Sequence, residues 1–219
     1  MGRRYIGQML QHGEVLDLLD WKRRVAELYR AVRNSAPGRV SWKKFRDRRD
    51  EMFRTHTQSP LDEQQKRRFR SLDYFPYDPA GSLRGRVMPL DKAVNPQPRS
   101  LALPEGAVSL LPFATVQFNP PVREKGPAVL TLFWISGYGG GLLLPFKDRT
   151  AGDDSYGGGR YLFDTIKGAD LGGAEDDLPL DFNFAYNPSC AYSPRWTCPL
   201  APAENSLSFP IRAGERMFR

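Results

Sequence analysis

Through the first third of the chain, apolar residues recur at three- and four-residue steps. Over residues 14–33, Leu18, Trp21, Val25, Leu28 and Val32 share one helical face, while Lys22, Arg23 and Glu27 fall outside it. That spacing predicts an amphipathic helix, which Ala36-Pro37-Gly38 interrupts. A second helix is expected from Ser41, a good N-cap, to about Thr55, with Trp42, Phe45, Arg49, Met52 and Phe53 as its inner stripe. Ser59 and Pro60 suit the N-cap and first helical position of a third, which ends near Arg70.

Beyond residue 70 the period shortens. Apolar runs alternate with Pro, Gly and Asn, and strands are expected at 84–88, 107–111, 113–118, 128–136, 141–147, 160–166, 180–185 and 207–212. The segment Ala128 to Ile135 is the richest in β-branched and aromatic residues, and the glycines from Gly137 to Gly141 suit a hairpin turn after it. No helical segments separate these strands, which disfavours parallel winding. The expected fold is mainly β with N-terminal α-helices, an antiparallel β-sandwich or a partly closed β-barrel. A basic helical segment, 1–70, would pack on a β domain, 71–219. Alternation over 181–186 would place Asp181, Asn183 and Ala185 on one face and Phe182, Phe184 and Tyr186 on the other.

Composition narrows the function classes. With 219 residues, 40% of them hydrophobic, the chain suits one domain, and Gly 20 with Pro 19 fits many turns. The net charge of +7 is uneven: residues 1–70 hold 18 Lys/Arg against 9 Asp/Glu, and the remainder 14 against 16. Acidic residues interleave with the basic ones, as in Arg46-Asp47-Arg48-Arg49-Asp50-Glu51, so a solvated, ion-paired face is expected and nucleic-acid binding is disfavoured. No apolar run is long enough to span a membrane, and residues 1–6 lack a signal-peptide core, which makes the cytoplasm the expected address.

Candidate chemistry lies in two stretches. Tyr156-Gly157-Gly158-Gly159-Arg160-Tyr161 fits neither a Walker loop nor a dinucleotide fingerprint. It reads as a turn or bulge, or as bare amides beside a ligand that Arg160 would grip through a carboxylate or phosphate. Residues 181–205 are dense in polar side chains and pinned by Pro188, Pro194, Pro199 and Pro202. Their polar groups either hydrogen-bond loop backbone or orient a ligand. Cys190 and Cys198, eight positions apart, lack zinc-ligand spacing and read as buried small residues; His12 and His56 are the only histidines. Asp148, Asp153 and Asp154 miss the calcium-loop pattern and read as a polar turn. No metal or cofactor is expected. Acid–base work would fall to Asp181 and Glu204.

The strings Asp181-Phe182-Asn183, Ala185-Tyr186-Asn187-Pro188, Cys190-Ala191-Tyr192-Ser193-Pro194, Cys198-Pro199-Leu200, Glu204-Asn205 and Ala213-Gly214-Glu215 resemble the bacterial and archaeal family called domain of unknown function 1684 (DUF1684). The likeness extends upstream through Tyr156 to Tyr161, Tyr74-Phe75-Pro76, Ser59-Pro60-Leu61 and Trp21, roughly over 20–215; Ser71 stands where the family is expected to have Gly. The resemblance implies a mostly β domain with no settled reaction, and it marks 156–161 and 181–205 as signature parts. A small-molecule pocket, taking an anionic ligand, is therefore expected there, with Arg160, Tyr161, Asn183, Tyr186, Asn187, Cys190 and Asn205 binding and Asp181 and Glu204 catalytic. The alternative is a non-catalytic binding or scaffold domain.

Overall fold

The computed structural model describes residues 12–90, 97–103, 106–121 and 126–219; residues 1–6, read above for a leader, lie outside them. Three helices come first: α1 (His12–Arg33), α2 (Arg39–Thr55) and α3 (Glu63–Arg68). Strands follow: β1 (Ser82–Pro89), β2 (Arg99–Leu103), β3 (Gly106–Phe118), β4 (Ala128–Ser136), β5 (Gly141–Phe146), β6 (Arg160–Asp164) and β7 (Asp177–Asp181). They form one antiparallel sheet in the order β6-β5-β4-β3-β1-β7, with β2 paired to β3. The sheet curls into a half-barrel. Past β7 the chain returns to the opposite edge, where Tyr161 and Tyr186 exchange backbone hydrogen bonds of 2.9 and 3.1 Å. A single bridge thus draws the two edges together without a ladder.

The helices share one core with the sheet. Leu28, Tyr29, Trp42, Phe45 and Phe53 belong to the same hydrophobic cluster as Leu130, Leu144, Phe146, Leu162, Leu180 and Phe182. Edge-on ring contacts join them, Phe45 to Phe184 at 5.0 Å, and the Trp42 indole N–H donates to the Asn183 carbonyl at 3.2 Å. The inner stripe expected for α2 is buried throughout, including Arg49. In α1 the expected face also meets the core: Leu28 is buried and Trp21, Val25 and Val32 pack against the cluster, joined by Tyr29, while Leu18 is 42% exposed. The outer faces carry ion pairs at helical spacing, such as Lys43–Asp47, Arg30–Glu27 and Arg48–Glu51.

Five local expectations are corrected. Ser41 does not cap α2; the helix starts at Arg39 after Gly38, and the Ser41 hydroxyl donates to the Gly38 carbonyl. The third helix opens at Asp62, not Ser59, because Asp62 and Gln65 form a reciprocal capping box; Ser59 is buried and bonds the Phe53 carbonyl. The two strands expected at 107–111 and 113–118 are one, with a register shift between Pro112 and Ala114, and β2 was not anticipated. Residues 207–212 form no ladder: they run beside 147–149 through isolated bonds, and Pro210 has no N–H to give. Strand alternation also fails after Asp181. Its carboxylate accepts the Asn183 backbone N–H at 3.0 Å and caps a 3₁₀ turn, Phe182–Phe184, so residues 182–185 are all buried. Among the described residues, no helix is long and apolar enough to cross a membrane.

Candidate functional site

The two signature stretches meet. The Ala201 N–H donates to the Gly158 carbonyl at 3.1 Å, the Tyr161 hydroxyl donates to the Pro199 carbonyl, and the Tyr156 hydroxyl reaches the Cys190 sulfur at 3.6 Å. The triple glycine serves this contact. Gly159 holds φ +91, and a Cβ there would meet the Phe146 carbonyl oxygen at 2.5 Å and the Ala201 Cβ at 2.7 Å. The close backbone approach is to the protein's own chain.

Arg160 is committed internally. It is 1% exposed; its amino groups donate to Asp148 Oδ2 at 2.8 Å and to the carbonyls of Ile211, Ala213 and Glu215. The Asp148 Oδ1 accepts from Thr150 and from the Ile211 N–H, so the expected polar turn is a buried hub tying the C-terminal segment to the barrel. Asn205 is equally engaged, bonding Thr131 on both backbone groups and the Pro145 carbonyl. Asn183 binds both backbone groups of Asp78.

Asp181 and Glu204 are not brought together. Asp181 stands opposite Ser82 at the β1–β7 edge and lines a groove of about 370 Å³ beside Arg33 and Arg84. Burial pushes its carboxyl above the usual aspartate range, against the bonds from Asn183 and Ser82. Glu204 lies over β4 in the turn Ala203–Asn205 and pairs with Arg99 of β2 at 2.6 Å.

Tyr161, Tyr186 and Asn187 do converge, on a different hollow. A cavity of about 60 Å³ opens between α1, α2 and the 186–192 segment, lined by these three with Tyr29, Arg49 and Lys167 among others. Arg49 is held on the α2 inner stripe over the Phe53 and Tyr186 rings, 5.1 Å from each. Its Nη2 donates to Glu215 at 2.8 Å. That carboxylate also accepts the Asn187 N–H at 3.1 Å and the Tyr192 hydroxyl. Burial pushes the Glu215 carboxyl up; Arg49 and these two donors oppose it. Burial also raises the phenols of Tyr29, Tyr161, Tyr186 and Tyr192, which stay neutral hydrogen-bonding groups. Lys167 pairs with Asp164 at 3.3 Å and is half exposed.

Among the described residues, seven buried side-chain polar atoms find no hydrogen-bond partner. Three of them, Tyr29 Oη, Arg49 Nε and Asn187 Oδ1, belong to residues lining this one cavity. They comprise a charged donor, a neutral acceptor and a hydroxyl able to do either. The sequence places Arg49 on an inner face and Tyr192 in a signature string, but the expected site includes neither of them, nor Tyr29 or Lys167. An arginine inside an apolar stripe, between Phe45 and Phe53 at four-residue steps, was the available signal.

Cys190 sits half-buried in the turn Ser189–Ala191, and Cys198 is buried. Among the described residues, no group of three or more His, Cys, Asp or Glu side chains could hold a metal ion.

Comparison with curated proteins finds no match. Among solved structures, the chain is similar to an uncharacterised protein of Haloarcula marismortui determined by solution NMR, with 32% identity and a TM-score of 0.58 over 81% of this chain and 92% of that one. The model of the family described as "Protein of unknown function (DUF1684)" matches residues 67–216, a span that includes the Arg160–Asp148 hub, the Tyr161–Tyr186 bridge and Glu215. The chain belongs to the DUF1684 family.

Proposed function

We propose that this protein binds a small molecule in the cavity between the helices and the Tyr186–Tyr192 segment. The observation that carries the reading is that three residues lining one hollow each carry a buried polar atom without a partner. Leaving a buried polar group unmade costs about 1–3 kcal/mol, so three at one place form an unfilled recognition set. Its volume equals about two waters' share of the liquid, which suits a head group of a few heavy atoms. The Arg49 N–H calls for a negatively charged acceptor, Asn187 Oδ1 for a donor, and Tyr29 can bridge them. A 2-hydroxycarboxylate head group supplies both. Arg160 and Asn205, expected at the sequence level to touch ligand, contribute here as framework.

The test is a thermal-shift titration with glycolate and lactate, with acetate lacking the donor as comparison. Binding at a hundredfold excess over Kd stabilises by about 2.7 kcal/mol. Glycolate is expected to raise the midpoint of the wild type, acetate less so. Tyr29→Phe should abolish the shift while leaving unliganded stability unchanged or up to about 1 kcal/mol higher, since it removes an unsatisfied hydroxyl. Equal glycolate shifts in wild type, Tyr29→Phe and Asn187→Leu would sink the reading.

A second reading, acid–base chemistry, is favoured by one observation: Asp181 combines a raised carboxyl with a groove flanked by Arg33 and Arg84. Because Glu204 is remote, Asp181 would act without the second carboxylate. Loss of turnover in Asp181→Asn but not Glu204→Gln, over a panel of small esters and amides, would support it.

A further inference from the structure

A second and larger hollow, an open groove of about 570 Å³, runs along the seam of α1 and α2; none of its lining residues lines the smaller cavity. The two helices are antiparallel. Residues 34–38 join them at one end, and at the other His56 Nε2 meets Asp20 Oδ2 at 3.0 Å and the Thr57 hydroxyl donates to Asp17 at 2.9 Å. The groove therefore has two different ends. Arg23 and Arg24 of α1 and Arg48 of α2 stand toward His56, with Lys44 one turn further along, and Ser35 and Ser41 stand toward the hairpin loop. Leu28, Ala31, Val32 and Phe45 make its apolar walls.

The cations at the first end are open to an anion. Arg23 and Lys44 are exposed and have no ion pair or hydrogen bond among the described residues. Arg24 meets Asp20 through Nε and Arg48 meets Glu51 through Nη1, each at 2.7 Å. Among the described lining residues the one carboxylate is Glu27, which Arg30 holds through both oxygens at 3.0 and 2.6 Å. At the loop end both hydroxyls donate to main chain, Ser35 to the Ala31 carbonyl at 2.6 Å and Ser41 to the Gly38 carbonyl at 2.9 Å. That end offers a ligand carbon rather than donors.

We propose that this groove binds a free long-chain monocarboxylate, its head between Arg23 and Lys44 and its alkyl chain along Leu28, Ala31 and Val32. Charge complementarity selects the head: four cations line the groove against one carboxylate that is already paired, and the planar guanidinium of Arg23 matches a carboxylate. The walls select the tail, because apolar surface removed from water on both partners favours binding. The volume lies within the range of pockets that take small molecules, about 300–1,000 Å³. From Arg23 to Ser35 the helix advances about 18 Å, at about 1.5 Å per residue, which gives an extended chain its track. A bilayer surface fits less well, since the floor is recessed between the helices: Phe45 is 1% and Leu28 7% exposed. A nucleic acid would use the cations and leave the apolar walls unmatched.

The experiment is isothermal titration of the full chain with octanoate, decanoate and dodecanoate below their micelle concentrations. One site is expected, with affinity rising at each added methylene toward a ceiling of about fourfold per group for full burial. Dodecyltrimethylammonium, with the same tail and the opposite charge, should not bind. Arg23→Glu and Lys44→Glu should each weaken dodecanoate by about tenfold or more. Lys43→Glu makes the same charge change outside the lining and should stay within about twofold of wild type. Ala31→Glu, at an exposed helical position, sets a carboxylate in the path of the tail and should abolish binding. Affinity independent of chain length, or equal losses in Lys43→Glu and Lys44→Glu, would overturn the proposal. So would capture by phosphatidylglycerol vesicles or oligothymidylate of a protein that ignores free dodecanoate. A dimer in sedimentation that Ala31→Glu dissociates would assign the groove to a second copy instead. Tyr29→Phe should bind dodecanoate as wild type does; loss there would place the fatty acid in the smaller cavity, so failure of this proposal and failure of the glycolate reading are distinguishable.

Discussion

At the residue scale, a few buried charges organise the molecule. Arg160 uses both amino groups to hold Asp148 and three carbonyls of the 211–215 segment, and its guanidinium lies 5.1 Å from the Phe146 ring. Such a pair is sensitive to loss of one member, because the remaining charge is stranded in a medium that solvates it poorly. Asp148→Ala should therefore destabilise by about 3–5 kcal/mol in urea unfolding. It would also strand the Thr150 and Ile211 N–H groups. A loss below about 1 kcal/mol would show that the hub is dispensable. Arg160 was legible as a planar cation that binds oxygen. That the oxygens are the protein's own follows from where residues 211–215 pass, which local pattern does not encode.

At the element scale, the triple glycine shows how one motif reads two ways. From neighbours in sequence, Gly157-Gly158-Gly159 fits a turn, a bulge or a ligand cradle. In the fold, β5 and the 199–202 segment press against it, and the Ala201–Gly158 bond fixes that approach. Gly159→Ala meets both a positive φ and the Phe146 carbonyl. The backbone conformation alone costs about 1–3 kcal/mol, and the overlap adds to it, so a thermal midpoint well below wild type is expected. An unchanged midpoint would mean that the segment relaxes freely. The hairpin between β4 and β5 followed from composition alone, because Gly137 (φ +138) and Gly139 (φ +81) supply conformations other residues resist. Two of the segments misread are ones where a side chain captures nearby backbone: the Asp62–Gln65 box and the turn after Asp181.

At the scale of the whole molecule, helices and sheet are joined in one core, and the cavity lies on their seam. Titration of buried carboxylates should register in global stability. Asp50, Asp181 and Glu215 are all pushed up chiefly by burial. A carboxyl raised in the folded state binds protons more tightly there than in the unfolded chain. Its contribution is therefore complete below the unfolded value and lost as pH rises through the folded one. The urea midpoint of wild type should fall relative to Asp181→Asn as pH is raised from about 4 upward. A difference between the two that does not change with pH would contradict the burial at the β1–β7 edge.

Periodicity and turn chemistry alone determined the order of helices and then antiparallel strands, the α2 inner stripe and the main hairpin, because these depend on spacings within a few residues. The strings at 156–161 and 181–205 likewise marked where the chain is distinctive. Only the tertiary structure decided which polar groups are spent and which remain open. Asp181, Asn183, Asn205 and Glu204 find partners among the described residues, as does Arg160 through both amino groups though not its Nε, whereas Tyr29, Arg49 and Asn187, each with one unpartnered atom, line one hollow together. The physical reason is that hydrogen-bond satisfaction is a long-range property: the carbonyl partners of Arg160 lie more than fifty positions away, and Arg49 meets Glu215 across 166 residues of chain.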